Sequence, residues 1–337
     1  MPKSDRSNPA NVSRRGRVAR RLLLAAALSA PFISSGLAYP DRPVRVIVPG
    51  TAGGLVDLAA RAIGEGMQRE LGQPWLVDPR PGANGVIAAR SFLDAPADGH
   101  TLYLTVLSHV LLPFVAMVPF DVVGDFQPVA MIGTSTFLLC VPAASPANTV
   151  AAFVAHARAN PGRLNYLNPG NGTAPHLLPE IIRIRYGFDI TPVYYKNFPQ
   201  GLGDLVAGDL DLGLASTGLA LPHVQQGRLK AIAQVSRRRI DALPGIATLA
   251  EQGLGDLGVD SFLPLYGAKS MSPSAVTRIN RAVAAALADE RTRERLAAAH
   301  IEPLIMQAAE VGSTMRREQD RLGAIIRQLG IQADDST

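Results

Sequence analysis

The stretch VRVIVPGTAGGLVDLAARAIGEGM, residues 44–67, decides the fold: an apolar strand runs into a glycine-rich bend and emerges as an amphipathic helix. Gly53 and Gly54 let the backbone turn tightly and come close to a ligand, while the first N–H groups of the helix from Leu55 point into the loop. Those amides and the helix dipole together make an anion site. A phosphate-binding loop would place Gly-Lys-Ser/Thr where this chain has Gly54-Leu55-Val56, which argues against a triphosphate. A small anion such as a carboxylate remains, with Thr51, Ala52, Gly53, Gly54 and Asp57 as its candidate contacts. The other reading is a plain glycine-rich turn whose helix Asp57 caps. The loop alone leaves both open.

Outward from this unit, the alternation continues. The helix predicted from Leu55 to about Leu71 leads to strand 75–78, a second helix follows RPGANG, and TLYLTVL (101–107) is a third strand. Strands separated by helical segments predict right-handed crossovers and a parallel sheet. Residues 101–118 are almost uncharged, yet Thr105, Ser108, His109 and Pro113 favour a strand followed by a buried helix over a membrane span. After FLLCVP (137–142) the pattern restarts with strands at 164–168, 190–195, 210–216 and 229–236 and helices between them. A buried strand at 261–270 and three Arg-rich helices, 273–288, 290–299 and 308–329, close the chain as packing elements. Two such units predict two α/β lobes whose strand-end loops face each other across a cleft.

The second unit repeats the opening motif in NPGNGTAPH, residues 168–176. Asn171, Gly172 and Thr173 offer amides, a side-chain carboxamide and a hydroxyl, and His176 falls in the first helical turn. One helix N-terminus per lobe predicts an anion pocket on each wall of the cleft, suited to a ligand with more than one acceptor group. Ser108 and His109 follow the third strand and line the cleft in this reading. As a catalytic pair they lack a G-x-S-x-G context and an acidic orienter. Lys196, one of four lysines, stands at a strand end, either as a cleft cation or as an exposed side chain.

Other features argue less. GLGDLG (253–258) has the spacing of a dinucleotide fingerprint but follows a helix and precedes a strand, the reverse of that motif's context. The six histidines show no metal-ligand spacing, so neither metal nor cofactor is expected. His156, His223 and His300 read as surface or packing residues, and Arg237-Arg238-Arg239 as a solvated patch. Cys140, the single cysteine, lies in an apolar run and reads as a buried thiol.

Of the formal charge of +5, residues 1–38 carry seven cations against Asp5, or +6, leaving −1 for the rest. A near-neutral body gives no basic stripe for nucleic acid. The same segment predicts an export signal: Arg14 to Arg21, then apolar Leu22 to Ala30, then Gly36-Leu37-Ala38 with cleavage after Ala38. A membrane anchor is the other reading, weakened by Pro31, Ser34, Ser35 and Gly36. Ser13-Arg14-Arg15 leaves the export route open.

Taken in order, YPDRPVRVIVPGTAGGLVDLAAR, VDPRPGANGVIAA, ADGHTLYL, LNYLNPGNGTAPHLLPE, YYKN, GDLDL, LPHVQQGRLKAIAQVS and ALPGIATLAEQGL resemble the Bug-type receptors of tripartite tricarboxylate transport systems, from Tyr39 to about Gly330. The resemblance implies a type II periplasmic binding protein, a two-lobed Venus-flytrap fold joined by crossover strands. Residues 39–140 with 259–337 form one lobe in this reading and residues 141–258 the other. It further implies a non-enzymatic receptor that takes a di-, tricarboxylate or aromatic acid to integral-membrane transporter subunits. Pro49 and the 52–54 and Asp57 positions match in the first loop, Gly170 to Thr173 and His176 in the second, and Tyr195-Lys196 at the next strand end. Ser216 stands where Asp or Asn is common, Gly50 where a bulky residue is usual, and Phe198 in place of a small turn. Those departures touch the cleft and open it to a different acid. Two rival readings are a sensory module that presents its ligand to a membrane partner, and a hydrolase using Ser108, His109 or His176.

Overall fold

A computed structural model describes residues 39–236, 238–254 and 261–328, together with Met1 and Gly330. The predicted export signal, most of GLGDLG, and Arg237 lie outside the described residues. The first sheet is built from β1 (Val44–Val48), β2 (Trp75–Pro79), β3 (Thr101–Leu104), β4 (Phe126–Ser135), β10 (Ser261–Ala268) and β11 (Ile301–Pro303), in the order β11-β4-β10-β3-β1-β2. The remaining strands are β5 (Phe137–Pro142), β6 (Asn165–Asn168), β7 (Thr191–Tyr194), β8 (Gly213–Ser216) and β9 (Leu229–Val235).

These five strands form one continuous surface. β5 pairs with both β8 and β9, β6 pairs with β7, and a bridge between Tyr166 and Leu212 joins the two groups. The Leu167 N–H donates to the Leu212 carbonyl at 3.0 Å across that join. The resulting order, β7-β6-β8-β5-β9, repeats the β2-β1-β3-β10-β4 order of the first sheet, with one antiparallel strand inserted in the same place. The two-lobed α/β expectation holds, but the sheets are mixed rather than parallel: β10 and β5 each reach their sheet after the chain has crossed between lobes. β4 ends at Ser135 and β5 begins at Phe137, so the first crossing occupies Thr136 alone. β5, which carries Cys140, belongs wholly to the second sheet, four residues ahead of the border expected from sequence.

The helices are α1 (Leu55–Ala62), α2 (Gly64–Leu71), α3 (Val86–Leu93), α4 (Ser108–Val115), α5 (Val150–Ala159), α6 (Ala174–Tyr186), α7 (Phe198–Ala207), α8 (Thr217–Gln225), α9 (Pro273–Ala288), α10 (Glu290–Ala298) and α11 (Ala308–Gln328). The single helix expected over 55–71 is divided at Ile63. Ile63 takes φ −81° and ψ −12° at the break, and just beyond it α2 packs closely on α9, where a Cβ on Gly66 would sit 2.7 Å from the Ala286 Cβ. α9 buries Ala275, Ile279, Ala282, Val283 and Ala286, a stripe at helical spacing, and Ser272 caps it by accepting from the Ala275 N–H. Residues 101–115 are strand β3 followed by buried α4, as the sequence predicts. Among the described residues no helix is long and apolar enough to cross a membrane. Cys140 is free and buried, and loss of hydration pushes its thiol up to about 12.

His109, on α4, turns away from the cleft into an aromatic cluster of Tyr103, Phe126, Phe120 and Tyr266, with its ring centroid 4.5 Å from that of Phe126. Its Nε2 lies 3.1 Å from the Val122 carbonyl, while Nδ1 is buried without a partner. Burial among rings disfavours the imidazolium and pushes its pKa down to about 4. Below the ordinary value near 6.5 the unfolded chain binds the proton more readily than the folded one, so stability falls as pH drops from about 6.5 to about 4. The cost reaches on the order of 3 kcal/mol at pH 4. Chemical denaturation across that range is expected to show this slope in the natural chain and to lose it in His109→Leu; a slope unchanged in the variant would rule His109 out as its source.

Candidate functional site

Strands β1, β3, β4, β6, β7 and β8 deliver their carboxyl ends to one cavity of about 220 Å³. The loop after β1 contributes Gly50, Thr51 and Gly54, and the segment after β3 contributes Val106, Leu107 and Ser108. Phe137 enters just past β4. From the second sheet come Pro169, Gly172 and Thr173 after β6, Phe198 after β7, and Ser216 at the end of β8. In open α/β sheets ligands bind outside strand carboxyl ends, and here two such edges share one hollow. The expectation of two facing loops therefore holds as geometry.

The helices at these edges begin without caps. Among the described residues no side chain caps α1, α6, α7 or α8, whereas Thr149, Ser272 and Asp289 cap α5, α9 and α10. Leu55 and Val56, whose N–H groups open α1, line the cavity, as does Ala174 at the start of α6. The first amides of a helix lack intrahelical partners, so these termini offer donors and positive potential without a charged side chain.

Several expected contacts have other work. The Gly53 N–H donates to Asp57 Oδ2 at 2.9 Å, and the Gly54 N–H to the Thr51 carbonyl at 3.0 Å. Asp57 is buried, and Arg61 Nε donates to both its oxygens at 2.9 and 3.0 Å, so its carboxylate braces the loop from behind. Arg61 is held above its ordinary pKa chiefly by this hydrogen bond to Asp57. Ala52 and Gly53 are exposed. In the second loop the Gly172 N–H donates to His176 Nδ1 at 3.2 Å, which places the His176 proton on Nε2 in the neutral ring. Asn171 Oδ1 accepts from the Tyr194 hydroxyl at 3.2 Å, and Thr173 Oγ1 donates to the Gly170 carbonyl at 2.7 Å. His176 and Asn171 are loop organisers in this geometry. Lys196 is exposed and outside the cavity lining. Ser108 lines the cavity while His109 points into the aromatic cluster, so the two do not meet as an acid-base pair. The cavity thus gathers Thr51, Gly54, Ser108, Gly172, Thr173 and Ser216 of the expected set.

Sequence reasoning missed the apolar wall. Leu111, Leu177, Leu178 and Ile181 line the cavity, and α11, expected as a packing element, adds Leu322, Ile325 and Ile326. Their helical spacing is the same for a core stripe and for a cavity wall, so no local signal separates the two. The lobes also touch at the second loop. A Cβ on Gly172 would sit 2.2 Å from Val115 Cγ2, and one on Gly170 2.9 Å from Asn84 Oδ1.

A family model described as "Tripartite tricarboxylate transporter family receptor" matches residues 59–331. Protein BugT of Bordetella pertussis is 29% identical over 311 residues, covering 91% of this chain and 95% of BugT. Among solved structures, Rpa4515 of R. palustris with adipate is similar at a TM-score of 0.82 and 28% identity, covering 87% of this chain and 98% of that one. MatC from Rhodopseudomonas palustris with bound malate is similar at 0.80 and 26% identity, covering 86% and 100%.

Proposed function

The chain belongs to the tripartite tricarboxylate transporter receptor family of periplasmic binding proteins, and from that premise we propose that it captures a small organic carboxylate in the cleft and delivers it to integral-membrane transporter subunits. The observation that carries this reading is the shared cavity, with uncapped helix N-termini from both sheets at its walls. Malate and adipate in two similar proteins support a carboxylate ligand. Export to the periplasm by residues 1–38 belongs to the same proposal.

In this mechanism the Leu55 and Val56 amides and the start of α6 neutralise the anion, while Thr51, Ser108 and Ser216 orient it. Residues 40–135 with 261–328 act as one lobe and 137–235 as the other. Thr136 is the pivot: its carbonyl accepts from the Thr217 N–H at 2.9 Å, tying the crossing to α8. Ligand favours the closed form by its differential affinity for it, since it bridges loops of both lobes.

The test is thermal and calorimetric titration of the mature chain with a panel of organic acids. A binder is expected to stabilise the fold by about 2.7 kcal/mol at a hundredfold excess over Kd. A well-folded sample that none of the acids stabilises would remove the proposal.

A further inference from the structure

The wall chemistry goes beyond the choice of a carboxylate, and rests on that reading. We infer that the cavity selects a monocarboxylate with an apolar body, a medium-chain alkanoate or an aryl acid, over the di- and tricarboxylates. No Asp, Glu, Lys, Arg or His occurs among the described residues that line it. Its hydroxyls, on Thr51, Ser108, Thr173, Ser216 and Ser261, belong to strand ends and helix starts, where the anion is held. Away from that rim the lining changes to Leu111, Leu178, Ile181, Leu322 and Ile325. Ile181 lies seven residues into α6, about 10 Å along the axis from Ala174, so the apolar part extends well past the reach of the N-terminal amides.

A ligand of one charge fits both parts. Its carboxylate takes the amides and hydroxyls, and its body displaces water from the leucines and isoleucines, tightening binding roughly fourfold for each methylene buried. A second carboxylate at the far end would meet neither cation nor donor, and an unpaired buried charge is strongly disfavoured. The potential that holds the first anion also falls off within the first helical turn.

Hexanoate and adipate make the matched pair, equal in carbon number and differing in one carboxylate; hexanamide keeps the body and removes the charge. Isothermal titration of the full mature chain is expected to give hexanoate at least tenfold tighter than adipate or malate, octanoate tighter than hexanoate, and hexanamide at least tenfold weaker than hexanoate. Adipate binding as tightly as hexanoate would overturn the inference and leave the carboxylate receptor standing. Hexanamide equal to hexanoate would overturn both, as would a folded sample that binds none of these acids nor the aryl acid benzoate. Ile325 is half-buried at the cavity wall and packs against the core, so Ile325→Lys places a cation at the apolar end, and the ratio of affinities is read on a sample whose thermal melt shows that the variant is folded. That variant is expected to narrow or reverse the preference for hexanoate over adipate. An unchanged ratio would show that the ligand body lies elsewhere and would overturn the inference.

Discussion

Gly172→Ala is expected to weaken ligand binding by roughly ten- to a hundredfold, equivalent to about 1.4–2.8 kcal/mol. Two separable effects meet at this residue. Its φ of +77° lies in the left-handed region, where a side chain costs about 1–2 kcal/mol in any state that keeps the loop. The new Cβ would also fall 2.2 Å from Val115 Cγ2 on α4, and α4 follows β3 of the first sheet while Gly172 follows β6 of the second. That clash acts where the lobes meet, so opening relieves it and the closed form bears it, at about 1–3 kcal/mol for overpacking. Gly187→Ala isolates the first effect: Gly187 has φ of +60° with nothing within 4 Å of its added Cβ. Both variants are expected to lose similar stability without ligand, and Gly172→Ala alone to lose affinity. Equal affinities in the two would show that closure does not depend on the Gly172–Val115 approach.

The same loop shows where sequence reading succeeds and where it stops. Strand, glycine bend and helix were legible at 44–71 and again at 164–186 because each is a local pattern: an apolar run, a φ-permissive residue and an amphipathic repeat. β4 was not predicted. Phe126 to Ser135 includes Pro128 and Gly133, poor strand residues in isolation; pairing with β10 and β11 on its two sides overrides them. The antiparallel places of β5 and β10 were hidden for a related reason. Their direction is set by the crossing at Thr136 and by the later return, neither of which has a periodicity. Of the residues that line the cavity, Thr51, Gly54, Ser108, Gly172, Thr173 and Ser216 were legible from their position at strand ends. Leu178, Ile181 and Ile325 were not, since a helix stripe facing a hollow has the same sequence as one facing a core.

Asp57 poses the sharpest choice between the two readings its sequence left open. Its carboxylate side chain is 3% accessible, and it accepts from the Gly53 N–H and from Arg61. At the third position of α1 it also meets the positive end of the helix dipole. Asp57→Ala is therefore expected to cost roughly 2–3 kcal/mol, the worth of a hydrogen bond to a charged acceptor plus lost packing, and to lower Tm by about 3–5 °C. Asp57→Asn keeps an oxygen for Gly53 and loses mainly the ion pair with Arg61. Because the Arg61 side chain is 55% accessible, that pair contributes about 1 kcal/mol or less. Binding separates bracing from contact. If Asp57 braces the loop, Asp57→Asn leaves affinity within about threefold, a change of roughly 0.7 kcal/mol or less. If the carboxylate faced a bound anion instead, removing its charge would relieve repulsion and tighten binding several-fold at little cost to the fold. Thermal melts and titrations of the two variants with one carboxylate decide between these outcomes, and the 2.9 Å bond to Gly53 predicts the first.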